Sequence, residues 1–394
     1  MLGTTPLNIA MLSTPWFELP PAGYGGIEAM CAALVDGLVE LGHRVTVIGV
    51  GHNGTRGHFS PTYDTPQGER LGSVGPEVVH AARAATILAS LRPDVIHDHS
   101  TAGPLQAHRR RAPTVVTAHG PVSGVIGEYY RALGDTVHLV ALSQAQQAQA
   151  PDISWSGQIF NAVRTADYPY RHQKDRYAVF LGRLAADKGV HLAIDAARQA
   201  GMPIVIAGGC NDPAERPYID AEVLPRLGED AQWIGEADHA TKLDLLAHAR
   251  CLVFPICWEE PFGMVMVEAM ACGTPVVALR RGSVPEIIED GVTGFICDGP
   301  EQLPAALRSV DQLSARACRD RVRHRFDILN MASAYEALYH RLARDRANGR
   351  RMPHVDGHTT DPHDSVRPRT ESVNDTPRAR SSANSIDSAT ENPT

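Results

Sequence analysis

Short apolar runs alternate with longer amphipathic segments along almost the whole chain, and the two patterns predict different elements. In the first half the runs at 7–12, 44–50, 95–97, 114–117 and 139–142 read as strands. In the second half they fall at 178–181, 204–207, 232–234, 251–254, 276–278 and 294–296. Strands that are apolar on both faces fit the interior of a parallel sheet covered by helices. The β-α-β rhythm occurs twice, with an irregular polar segment at 164–176 between the two series. Two doubly wound, Rossmann-like α/β domains are the fold this predicts.

The first helix shows the helical period clearly. Ile27, Met30, Cys31, Leu34, Val35, Leu38 and Leu41 define one buried face, and Gly42 supplies the left-handed conformation that ends a helix. The stretch 51–75 is rich in glycine and proline with little periodicity, so it reads as a long surface loop of a kind that is often functional. From about 350 onward no aromatic residue occurs and Pro, Ser, Thr, Asp and Arg dominate. Such a segment cannot offset its ordering entropy by burial, and 349–394 reads as a disordered tail.

Composition narrows the class. A chain of 394 residues exceeds one typical core, which agrees with two domains. A net charge of -8 argues against a nucleic-acid partner, and the run Arg109-Arg110-Arg111 reads as a solvated helix end. Seven scattered cysteines with no C-x-x-C spacing predict neither a disulfide framework nor a zinc site. Together with the lack of a signal-like start and of a bilayer-length apolar run, this gives a cytoplasmic protein as the expectation. Peripheral membrane contact stays open.

Three segments carry candidate chemistry. Gly23-Tyr24-Gly25-Gly26-Ile27-Glu28 leads into the first helix, where glycines let backbone amides approach a phosphate. A simple loop turn is the alternative. Gly182-Arg183 with Lys188-Gly189 places two cations five residues apart after a strand, a planar fork and a point charge suited to a diphosphate. A solvated loop with two surface cations would look the same. The third segment runs from Trp258 through Glu260, Phe262, Gly263 and Met264 to Glu268 and Ala271. It sets a loop carboxylate eight residues ahead of a helical one, on either side of amides that can hold phosphate oxygens. Carboxylates suit hydroxyl-rich ligands because each offers several acceptor sites. Glu260 as a dipole-complementing residue and Glu268 as a solvated one is the competing reading, and the apolar company of Glu268 weighs against it.

From 7 to 342 the chain resembles the family 4 glycosyltransferases of the GT-B fold. The shared pattern comprises Gly25-Gly26, Asp94-Val95-Ile96-His97, Val116-Thr117-Ala118-His119-Gly120, Ala141-Leu142-Ser143 and Gly182-Arg183 with Lys188-Gly189. It continues with the Glu260 to Glu268 segment, Cys272-Gly273-Thr274-Pro275, Pro285-Glu286 and Gly291-Val292-Thr293-Gly294-Phe295. The resemblance implies an acceptor-side domain over 1–165, a nucleotide-sugar domain over 166–325 and a terminal helix at 326–348 returning to the first domain. It implies hexose transfer from a nucleoside-diphosphate sugar to an acceptor hydroxyl with retention, without cofactor or metal. Arg183 and Lys188 would bind the diphosphate, Gly25 and Gly26 would close over it, Glu260 would meet the sugar and Glu268 the ribose. His119 would lie near the sugar, or else simply cap a strand end. Phe262, Gly263 and Met264 would offer amides to the leaving group.

Ser143 reads first as a helix N-cap, and His97 and His99 as structural or cleft-lining, since no third ligand lies near them in sequence. Two positions depart from the family pattern, Arg164 where an acid is usual and Gly208-Gly209-Cys210 where a G-[DE]-G is usual. Both are expected on the donor side. The acceptor, whether lipid, polysaccharide or small metabolite, is expected against 51–75 and 121–130, where Tyr129 and Tyr130 could stack on a sugar or lie on a lipid surface, or else form core or cleft wall. A nucleotide-sugar epimerase and a non-catalytic sugar-nucleotide binding protein are the alternatives on the same fold.

Overall fold

The computed structural model describes residues 5–210 and 213–348, so the expectation for 349–394 lies outside the described residues. Seven parallel strands form the first sheet in the order β3-β2-β1-β4-β5-β6-β7. These are β1 (Asn8–Leu12), β2 (Arg44–Val50), β3 (His58–Tyr63), β4 (Val95–Asp98), β5 (Thr114–Thr117), β6 (His138–Ala141) and β7 (Trp155–Gln158). Between them run α1 (Gly26–Glu40), α2 (Val74–Ser90), α3 (Gly124–Leu133) and α4 (Gln144–Gln149). Six parallel strands form the second sheet in the order β10-β9-β8-β11-β12-β13. They are β8 (Ala178–Leu181), β9 (Ile204–Ala207), β10 (Ala231–Trp233), β11 (Cys251–Phe254), β12 (Val276–Leu279) and β13 (Gly294–Cys297). The accompanying helices are α5 (Val190–Ala200), α6 (Arg216–Tyr218), α7 (His239–His248), α8 (Met264–Ala271), α9 (Val284–Ile287), α10 (Leu303–Ser309) and α11 (Ala315–Arg325), followed by α12 (Ile328–Ala347).

The central strands are buried along their whole length, as β4, β5, β11 and β12 show. Their unbroken apolar runs are therefore legible in sequence. The edges differ. The stretch 51–75, expected as one loop, holds β3 and the start of α2, and β7 was not anticipated at all. Both are edge strands of mixed polarity, HFSPTY and WSGQ, only partly buried. An edge strand faces water on one side and tolerates a proline such as Pro61, so it lacks the buried-strand signature.

The last helix returns to the first sheet. Met331, Ala332, Tyr335, Leu338, Tyr339 and Leu342 share one core with Met30, Cys31, Leu34, Val35 and Leu38 of α1. Close approach of the two helices depends on Gly37, because a Cβ there would lie 2.9 Å from the Ala332 Cβ and 3.3 Å from the Ile328 carbonyl oxygen. The chain passes between the halves twice, and the passages are bonded to each other. Val163 N–H donates to Phe326 O at 3.0 Å, and Ile328 N–H donates to Val163 O at 3.1 Å. His43, Glu336 and His340 stand close enough to share a cation. The Leu7 amide donates to His43 Nδ1 at 3.1 Å, so Nε2 carries the proton and donates to Glu336 at 3.2 Å. That tautomer suits the docking of α12 and leaves His43 no lone pair for a metal.

Gly37→Val should destabilise the fold by about 1–3 kcal/mol through overpacking against α12, although valine is the better helix former. Urea unfolding of the variant beside the parent checks this, and an unchanged midpoint would contradict the close packing.

Candidate active site

In both sheets the strand order reverses next to the first strand of the series, between β1 and β4 and between β8 and β11. Such switch points open a crevice beyond the carboxyl ends of the strands, where α/β proteins bind ligands. All the candidate residues follow these ends. Gly25 and Gly26 follow β1, and His119 follows β5 beside β4. Arg183 and Lys188 follow β8, and Glu260 to Glu268 follow β11.

In the second half, Lys188 and Glu260 are joined by an ion pair of 2.7 Å between Nζ and Oε2. The Lys188 ammonium also lies 4.9 Å above the Trp258 ring centre, an additional attraction for the charge. Gly189 caps α5 with φ at +70°, and a Cβ there would meet the Pro255 carbonyl, so the loop after β8 presses on the loop after β11. Arg183 is held by Glu215 and lies 3.8 Å from Asp187. Both cations are thus paired with carboxylates at partly buried positions.

The loop from Trp258 to Gly263 is pinned from behind. Glu259 Oε2 accepts from Gly282 N–H at 2.6 Å, and Glu260 O accepts from Ser283 N–H at 3.0 Å. Gly263 caps α8 with φ at +76°, and Met264 is the first helical residue. The side chain of Phe262 is buried in the core, so what it presents is backbone. The Met266 amide donates to Gly263 O at 3.1 Å, while those of Met264 and Val265 have no partner within the helix, which leaves them available to an anion. Glu268 is bonded through Oε1 to Lys242 Nζ at 2.7 Å and to the Tyr168 hydroxyl at 3.2 Å.

In the first half, Gly25 caps α1 with φ at +143°, where a Cβ would crowd Pro21. Glu28 is buried one turn into α1, and its carboxylate takes the Thr14 hydroxyl. Burial pushes the Glu28 carboxyl up from its usual range, offset in part by that hydrogen bond. His119 Nε2 is 2.8 Å from His99 Nδ1, and His99 Nε2 is 3.2 Å from Met11 Sδ. A thioether only accepts, so His99 Nε2 carries its proton, His99 Nδ1 accepts, and His119 Nε2 donates. His119 Nδ1 is left with a lone pair. Beneath this pair lies His97, bonded to Tyr339 OH at 2.6 Å and to Thr117 Oγ1 at 2.8 Å. Burial lowers all three imidazoles, His119 to about 4 and the others well below the usual value, where neighbouring imidazoles add to the effect.

The two halves meet around these residues. Gly23 packs against Glu236, and Glu286 of α9 accepts from the amides of Gln144 and Ala145 at 2.9 and 2.8 Å, holding the start of α4. Burial raises the Tyr24 hydroxyl while the Arg183 charge pulls the other way, which puts the glycine loop within electrostatic reach of that cation. A cavity of about 480 Å³ opens beside it, lined by Phe17, Glu18, Tyr24, Glu69 and Leu71 of the first half and Glu236 of the second.

Several expectations resolve here. Ser143 is the N-cap of α4, its hydroxyl accepting from Gln146 N–H at 3.1 Å. Tyr130 is core, while the Tyr129 hydroxyl donates to Thr101 O at 2.6 Å. Arg164 does not join the donor-side cations, because it pairs with Glu40 at the end of α1 at 3.1 Å. Gly208 is required for packing, since a Cβ there would strike the Gly182 carbonyl. His99, read from sequence as structural or cleft-lining, is the partner of His119. Glu28, Tyr168, Glu215 and Lys242 were not singled out from sequence as site residues. Their partners lie far along the chain, up to 100 residues away for Tyr168 and Glu268, and only Glu28 sat inside a segment already quoted.

Comparison with known proteins gives a consistent result. Residues 24–149 match the family described as Glycosyltransferase Family 4, and residues 168–325 match Glycosyl transferases group 1. Glycogen synthase of Mycobacterium tuberculosis is 29% identical, with 88% of this chain and 97% of the relative aligned. AviGT4, a glycosyltransferase involved in avilamycin A biosynthesis, superposes with a TM-score of 0.68 at 25% identity, covering 86% of this chain and 98% of its own. HepE of Anabaena, solved in complex with UDP-glucose, shares the fold with a TM-score of 0.66 at 20% identity, over 85% of this chain and 100% of its own. No helix among the described residues is long and apolar enough to cross a membrane.

The buried imidazoles predict an acid-side loss of stability. Their folded pKa values lie below the unfolded value of about 6.5, so below that pH the unfolded chain binds protons the folded one does not. The stability they lend is complete above about 6.5 and falls away as pH drops through about 4 for His119. The slope is up to about 1.4 kcal/mol per pH unit for each imidazole. Denaturant unfolding between pH 7.5 and 4.5 should show this fall, and His99→Gln should make it shallower. An equal slope in parent and variant would contradict the assignment.

Proposed function

Because the chain belongs to the glycosyltransferases of the family 4 type, built on the GT-B fold, we propose that it transfers a hexose from a nucleoside-diphosphate sugar to an acceptor hydroxyl, with retention of configuration. The observation that carries this reading is the convergence of two cations and a helix N-terminus at one switch point, after β8 and β11. A diphosphate leaving group gains negative charge as the glycosidic bond breaks. Arg183, Lys188 and the amides at Phe262, Gly263 and Met264 are the groups that stabilise it. In this reading they carry the charge that a divalent cation would otherwise balance, and the reaction needs neither metal nor cofactor.

Glu260 has one oxygen on Lys188 and the other for hydroxyls of the transferred sugar. Glu268 meets the ribose. His119, neutral and with Nδ1 as an acceptor, takes a hydrogen bond from a sugar hydroxyl and adds no charge beside the reacting carbon. Gly25 and Gly26 close over the diphosphate from the first half, and closure keeps water from competing with the acceptor. The acceptor proton passes to a donor phosphate oxygen. The acceptor itself enters by the cavity beside Tyr24. A cytoplasmic location is supported by cysteines that form no disulfide.

A screen of thermal stabilisation by UDP, GDP, ADP and their sugar conjugates should show a clear rise for one nucleotide, since a ligand of the native state must raise the melting temperature. With that donor, Lys188→Ala and Glu260→Ala should each lower transfer by about 100-fold or more, while circular dichroism stays that of the parent. Near-normal transfer by both variants would overturn the roles given to them.

A further inference from the structure

Glu268 lies in the middle of α8, and two side chains from distant elements converge on a single oxygen of its carboxylate. Lys242 Nζ, from the first turn of α7, donates to Oε1 at 2.7 Å. The Tyr168 hydroxyl donates to the same oxygen at 3.2 Å. Oε2 receives no hydrogen bond from the described residues. The carboxylate is mostly buried, with a side-chain exposure of 12% against 29% for Lys242.

The two donors are themselves held. Tyr168 belongs to the segment that follows the first passage between the halves, and its carbonyl accepts from Arg319 of α11 at 2.6 Å. Burial and the adjacent Glu268 charge keep its hydroxyl protonated well past the usual range, so it acts as a donor. Lys242 sits one turn after the Asp238 cap that starts α7.

A carboxylate turns about its last bond, and a lone ion pair is content with either oxygen. Two donors fixed on separate elements and aimed at one oxygen set the plane of the group. We propose that Tyr168 and Lys242 are positioning residues that make this site selective for a ribonucleotide. By occupying Oε1 they aim Oε2, with its two acceptor sites, at the vicinal hydroxyls of a ribose. A nucleotide lacking those hydroxyls leaves Oε2 desolvated and unmatched, which is the condition under which a polar site discriminates most strongly. The inference rests on the reading of Glu268 as the ribose partner of a nucleotide-sugar donor.

The experiment measures dissociation constants for UDP, GDP and ADP and for their 2′,3′-dideoxy counterparts, in the parent and in Tyr168→Phe, Lys242→Met and Lys242→Arg. The parent should favour one ribonucleotide over its dideoxy form by about 10-fold or more. Tyr168→Phe and Lys242→Met should bring that ratio to within about 3-fold of unity by weakening the ribonucleotide alone. Lys242→Arg should restore most of it. A merely structural role would weaken both nucleotides equally and leave the ratio unchanged, and that result would overturn the proposal. A parent that binds no nucleotide, or binds both forms alike, would overturn the ribose reading of Glu268 itself, and the proposal with it.

Discussion

The return of α12 to the first sheet is the constraint on which the rest of the structure depends. Its two tyrosines are buried, and each carries a hydroxyl that must find a partner away from water. Tyr335 meets Thr117 at 2.7 Å and Tyr339 meets His97 at 2.6 Å, at the carboxyl ends of β5 and β4. Two residues beyond those contacts lie His119 and His99. The helix that completes the first core therefore also fixes the strand ends from which the cleft histidines project. The paired passages at Val163 and at Phe326 to Ile328 keep this helix in line with the second half.

The two halves solve the problem of polar groups at a site in different ways. In the first, the histidines are neutral and bonded to one another or to a hydroxyl, His99 to His119 and His97 to Thr117. Neutrality lets the imidazoles sit in the interior without a counter-ion. In the second, the groups stay charged and partly exposed, and each cation holds a carboxylate, Lys188 with Glu260 and Arg183 with Glu215. A cation at a half-buried position is costly without a partner. In the proposed reaction a diphosphate would compete with those carboxylates, and a carboxylate that yields would be free to accept sugar hydroxyls, which would tie recognition of the phosphates to recognition of the sugar.

The sequence revealed most clearly what is governed by local pattern. Interior strands such as β5, β8 and β11 coincide with their apolar runs because both faces are covered. The glycines at 25, 189 and 263 were visible because each must take a positive φ at a helix start. Edge strands β3 and β7 stayed hidden because a strand open to water on one side has no unbroken apolar run. Arg164 was misplaced for a different reason. Its position in the motif suggested the donor side, but a long side chain at a chain passage reaches Glu40 on the opposite element instead. Tyr168, Lys242 and Glu215 look like ordinary polar residues until the fold brings them to Glu268 and Arg183.

Glu28 shows why local agreement and function part company at a site. A glutamate in the first turn of a helix normally faces water and complements the helix dipole. Here it is 3% exposed, and its carboxylate holds the Thr14 hydroxyl, at the start of the proline-rich stretch that ends in the glycine turn. A buried carboxyl with a raised pKa is a poor way to stabilise a fold, since an aliphatic side chain would fill the space at lower cost. What it does provide is a fixed link between the end of β1 and the first turn of α1. At Gly25, whose φ is +143°, a Cβ would lie 3.1 Å from Glu28 Oε2, so the close approach of that carboxylate and the backbone conformation both call for glycine. The first half thus gives up favourable burial in order to fix a loop, and that loop is the one that packs at Gly23 against Glu236 of the second half.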